Sequence, residues 1–142
     1  MRISEDLIEL IKKLEGFKAD AYLCPGGYKT IGFGHVINKV SDLTHVNYDM
    51  AEELLHKDLK KAEDSVQRNI KINLNQGQFD ALVSFTFNLG AASLQRSALR
   101  QKVNREEHDE VPREFMRWIY AGGIALPGLI KRRGLEAEMY SS

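Results

Sequence analysis

Little in this 142-residue chain could hold it together covalently or place it in a membrane. Its one cysteine, Cys24, cannot form an internal disulfide, so the fold stands without one. No apolar run approaches the ~20 residues needed to span a bilayer, so no stable membrane association is expected. An excess of one charge is also missing: Lys+Arg and Asp+Glu are both 20, and the formal net charge is zero. That removes the usual argument for non-specific nucleic-acid binding. The cluster Lys131-Arg132-Arg133 is too small to make a nucleic-acid face. The N-terminus, Met1 to Leu7, is too acidic and too broken to read as a signal peptide. No repeat, low-complexity tract or interdomain linker is visible, and no cofactor or metal is expected.

What remains is an ordinary globular composition, 43% hydrophobic and 28% charged, at a length that suits one domain. From Ser4 to Glu15 a helix is expected, with Ser4 as N-cap, Glu5 and Asp6 at the positive end of the dipole, and Gly16 as the stop. Ile3, Leu7, Ile11 and Leu14 share its apolar face. Tyr22 to Val36 reads as short β structure around a Pro25-Gly26-Gly27 turn. A long helix follows over about 48–70, with Asn47 as N-cap and Ala51, Leu54, Leu55, Leu59, Ala62 and Val66 as its stripe. The next helix starts at an Asn75/Gln78 capping box, ends at Gly90, and is apolar nearly all round, which marks it as the central buried helix. Further helices are expected over about 93–103, 109–120 and 127–140, with Pro112 and Pro127 in first-turn positions. The class is α+β. One domain, 1–142, is expected, with a β-containing lobe over about 16–47 and a helical lobe over about 71–142 plus the N-terminal helix.

Four side chains invite chemistry. Glu15 closes the first helix, and a glutamate at a helix end is usually solvated. Cys24 reads equally well as a small buried hydrophobe, and Thr30 as an ordinary strand residue. Asp58 falls inside the apolar stripe of the long helix, where a carboxylate needs a partner. His35, at the end of the glycine-rich strand, is the natural one, so a His35–Asp58 ion pair is expected.

A helix ending in Glu-Gly, a thiol residue nine positions after the Glu, a Thr fifteen after it, then Ile31-Gly32-Phe33-Gly34-His35, resembles the phage-type lysozymes, glycoside hydrolase family 24. The likeness continues through His56-Lys57-Asp58-Leu59, Phe87-Asn88-Leu89-Gly90 and the segment Arg117 to Arg133. It implies two lobes joined by the long helix, with a cleft between them. It also implies the substrate, the β-1,4 bond between N-acetylmuramic acid and N-acetylglucosamine in peptidoglycan. By the same resemblance Glu15, Cys24 and Thr30 are the catalytic residues, with Cys24 standing where most of the family has aspartate. Val36, Phe87 and Ser97 would line the saccharide site with Asn88 beside it, and Arg132 or Arg133 would stand next to Glu15.

Glycoside hydrolysis needs an acid to protonate the leaving oxygen and a nucleophile on the opposite sugar face. Glu15 would be the acid, and Thr30 with help from Cys24 would hold a water, giving inversion. Gly32 and Gly34 are expected to let the strand backbone approach the sugar closely. A peptidoglycan amidase or peptidase built on Cys24 and His35, a non-enzymatic peptidoglycan-binding module, and a bacterial toxin with the same chemistry stay open. The expected protein is a monomeric endolysin. It waits in the host cytoplasm for a separate pore-forming holin, or reaches the wall by a signal anchor since trimmed.

Overall fold

The computed structural model describes residues 1–24, 27–38, 41 and 43–142. The chain forms two compact units, Glu5–Lys60 and Met1–Ser4 with Lys61–Ser142. Both contain helix and antiparallel strand, so the class is α+β.

The first unit opens with helix α1 (Glu5–Glu15), which buries Leu7, Ile8 and Ile11 on one face. Gly16 ends it in the left-handed region at φ 72° and returns its N–H to the Lys12 carbonyl at 2.9 Å. Strands β1 (Lys18–Leu23), β2 (Lys29–Gly32) and β3 (His35–Val36) form an antiparallel sheet in that order. Tyr22 pairs with Thr30, Leu23 with Lys29, Thr30 with Val36 and Ile31 with His35. The register of β1 on β2 is irregular between Lys18 and Tyr22, so the strand is kinked just before the paired residues. Past β1 the ladder is closed by Cys24 N–H on the Tyr28 carbonyl (3.0 Å) and Gly27 N–H on the Cys24 carbonyl (2.9 Å). Of the expected Pro25-Gly26-Gly27 turn, Pro25 and Gly26 lie outside the described residues; Gly27 has φ 84°. The other edge of β1 is bonded to the 44–46 segment, through Val46 N–H to Ala19 O and Ala21 N–H to Thr44 O.

The long helix α2 (Tyr48–Asn69) starts where Asn47 accepts the Met50 N–H at 2.8 Å, and the boundary between the units falls within it. Ala51, Leu55 and Leu59 are buried on its inner face. Two observations group α1 with the sheet unit, where the sequence reading had placed it with the helical lobe. Lys12 bonds Glu52 at 2.5 Å, and its ammonium lies 5.8 Å and 5.5 Å from the centres of the Phe33 and Tyr48 rings.

In the second unit, helix α3 (Gln76–Leu89) has the full capping box between Asn75 and Gln78 and buries Phe79 through Thr86 in an unbroken run. Its buried polar side chains are all bonded. Asp80 takes the Ser4 hydroxyl and N–H, Ser84 donates to Glu136, and Thr86 donates to the Leu82 carbonyl. Helix α7 (Pro127–Ser141) packs on α3 so closely that a Cβ on Gly77 would meet the Met139 carbonyl at 2.5 Å. Two expected helices come out differently. The 93–103 segment is split into α4 (Ala91–Arg96) and α5 (Ala98–Asn104), because extended Ser97 caps the second helix. The 109–120 segment is a 3-10 turn (His108–Glu110) and a short α6 (Val111–Phe115), followed by the hairpin β4 (Tyr120–Ala121) and β5 (Ile124–Ala125). Gly122 and Gly123 both have positive φ, 59° and 79°, as a two-residue hairpin turn requires, and this overrides the helical pattern before them. No helix among the described residues is long and apolar enough to cross a membrane.

Candidate active site

Glu15 is the last residue of α1, so the Gly16 turn decides where its carboxylate goes. It lies against Gly34. A Cβ built there would collide with Glu15 Oε1 and stand 2.8 Å from Cδ. Gly34 has φ 74°, so both its backbone and its missing side chain make room for the acid. Gly32, at φ 66°, has a different reason: its would-be Cβ meets Ala51 Cβ at 3.1 Å. At both positions the space is taken by this protein's own Glu15 and α2.

Thr30 sits in the middle of β2, 4% exposed, and its hydroxyl donates to the Tyr28 carbonyl at 3.2 Å. The proton is thereby spoken for, and the oxygen lone pairs are left as acceptors. Cys24 is half-buried at the end of the β1–β2 ladder. Tyr22 connects the three. It is the cross-strand partner of Thr30, and burial raises its phenol pKa, helped by the negative charges of Glu15 and Cys24. Glu15, Cys24, Thr30 and Tyr22 therefore belong to one neighbourhood of the Glu5–Lys60 unit. Tyr22 stands two residues before Cys24, and the Cys24 N–H bond to the Tyr28 carbonyl continues the pairing past β1, so the two share a face.

His35 Nδ1 and Asp58 Oδ2 are 2.8 Å apart and both are half-buried, so the β3 end of the sheet is pinned to α2 by the pair the sequence suggested. Val36 is exposed on β3. In the second unit Arg133 is fully buried and committed. Its Nε and one terminal nitrogen bond Glu136 at 2.6 and 3.0 Å. Asn88 Oδ1 accepts at 2.7 Å and the Trp118 carbonyl at 3.4 Å. Desolvation pushes the Arg133 pKa down and the Glu136 pKa up, in spite of their attraction. Arg132 lies 3.9 Å from Glu136 and over the Phe87 ring at 5.8 Å. Ser97 is 2% exposed, and its hydroxyl donates to the Leu94 carbonyl while accepting the Arg100 N–H. That hydroxyl serves a helix cap. Phe87 and Asn88 are half-buried at the end of α3.

The family model described as phage lysozyme matches residues 12–136. The chain belongs to that family. Its members are glycosidases of the endolysin and muramidase type that act on peptidoglycan. The chain is 37% identical over 142 residues to the endolysin of Bacillus phage B103, covering 99% of this chain and about half (54%) of that protein. It is 35% identical to the endolysin of Acyrthosiphon pisum secondary endosymbiont phage 1, covering 100% of this chain and 99% of that one. Among solved structures it resembles the muramidase domain of SpmX from Asticaccaulis excentricus at TM-score 0.87 and 32% identity, covering 99% and 98% of the two chains.

Proposed function

We propose that the Glu5–Lys60 unit carries the acid and the water-holding groups of a muramidase, an endolysin cutting the β-1,4 bond from N-acetylmuramic acid to N-acetylglucosamine. The observation that carries this reading is the pairing of a carboxyl seated on Gly34 with a Thr30 hydroxyl whose proton is already donated to Tyr28. Glu15 gives its proton to the glycosidic oxygen as the bond to the anomeric carbon breaks. A water donating one hydrogen to Thr30 Oγ1 adds its oxygen to that carbon from the opposite face. The water's surplus proton leaves to solvent past the Cys24 sulfur, and solvent reprotonates Glu15. The configuration inverts. Exposed Val36 is the proposed saccharide contact of this unit.

Mass spectrometry of muropeptides released from sacculi tests the bond, and NMR of the first-formed anomer tests the stereochemistry. A product that keeps the β configuration overturns the inverting scheme. Glu15→Gln is expected to abolish release of reducing ends. Cys24→Asp is expected to retain activity in a muramidase and to lose it in a thiol amidase. Action as a monomer on the host cell wall belongs to the same proposal.

A further inference from the structure

A water poised to attack needs at least two firm partners, and ordered waters usually have about three. In the scheme above Thr30 is one. Cys24 is the other, and a thiol is a weak donor and a weak acceptor. The site as assigned is short of a hydrogen-bonding group. The sheet offers one that the scheme does not use. Tyr22 is directly opposite Thr30 across the β1–β2 ladder, where side chains share a face about 5 Å apart at Cβ. Cys24, two residues on with its N–H still on the Tyr28 carbonyl, continues that face. The kink of β1 immediately before Tyr22 sets its direction independently of Lys18.

We infer that Tyr22 is a further catalytic residue, whose hydroxyl holds the attacking water together with Thr30 and stands in for the partner that Cys24 supplies weakly. Burial raises the pKa of the phenol, so Tyr22 offers a neutral hydroxyl. A tyrosine here lets the site run with sulfur where a carboxylate would hold the water alone. The inference rests on the muramidase reading of Glu15, Cys24 and Thr30.

The test is Tyr22→Phe, which keeps the ring and removes only the oxygen. On soluble peptidoglycan fragments kcat is expected to fall about tenfold, the worth of one good hydrogen bond, with KM within about twofold and the melting temperature unchanged. In a Cys24→Asp background the same change is expected to cost less than about threefold, because the carboxylate then holds the water. An unchanged kcat in Tyr22→Phe overturns the assignment. So does the same factor in both backgrounds, which would make Tyr22 a packing residue. Glu15→Gln in the same assay separates the two levels: if it stays active, the muramidase reading fails, whatever Tyr22 does.

Discussion

The two units solve opposite problems. The helical unit buries whatever it can: α3 is covered from Phe79 to Thr86, and even the Arg133–Glu136 pair is out of water. The Glu5–Lys60 unit is held by half-exposed polar ties, Lys12–Glu52 and His35–Asp58, and by glycines bent into the left-handed region. Stability is concentrated where there is no proposed proton transfer, and backbone shaping where there is. The comparison teaches that the candidate acid is positioned by what is absent beside it, the Cβ of Gly34. The buried arginine is positioned by what is present, Glu136, Asn88 and Trp118.

The sharpest way to break this contrast is to damage each unit and ask which property fails. Glu136→Gln leaves Arg133 buried opposite an uncharged group and is expected to destabilise by about 3–5 kcal/mol in urea unfolding. Arg133→Met with Glu136→Leu removes both charges and is expected to cost less than that single change, since burial already works against each of them. Gly34→Ala should do the reverse. The new Cβ displaces the Glu15 carboxylate, so kcat is expected to fall about a hundredfold through misplacement of the acid, while stability drops by only about 1–3 kcal/mol from strain at positive φ. A Gly34→Ala enzyme of normal activity would detach Glu15 from its proposed seat.

The pH dependence sharpens the contrast further. The Glu52 carboxylate raises the Lys12 pKa from 10.5 to about 12. A base with a raised folded-state pKa stabilises fully below its unfolded value and loses that contribution as pH rises through the folded one. The melting temperature should therefore slope downward between pH 10.5 and about 12, and Lys12→Met should flatten that slope. The smallest expected effect is that of salt. With zero net charge there is no global field to steer the protein to an anionic wall, so lysis rate should depend only modestly on ionic strength. A steep loss of turbidity clearance between low and moderate salt would contradict this.

Legibility followed the range of the interaction. The Asn75–Gln78 box, the Asn47 cap and the Gly16 stop depend on residues within four positions, and each could be read directly. The His35–Asp58 pair was legible at longer range because a carboxylate inside an apolar stripe demands a partner and one histidine stood nearby. The β4–β5 hairpin was missed because Met116 to Tyr120 continue a helical pattern, although Gly122-Gly123 is a turn signal. Ser97 also caps α5 with its hydroxyl, a local role that the run of helical residues around it did not signal. Tyr22 went unread because its significance lies in the strand opposite.

By itself, the sequence determined the α+β class, the order of its major elements, the buried central helix and the lysozyme family, because periodicity, caps and spaced motifs are written along the chain. Tertiary structure alone decided that Gly34 seats Glu15, that Gly32 packs on Ala51, that Arg133 belongs to Glu136, and that Tyr22 faces Thr30. Those relations depend on where a turn sends the backbone and on which side chains then compete for the same few ångströms, and no local pattern encodes that.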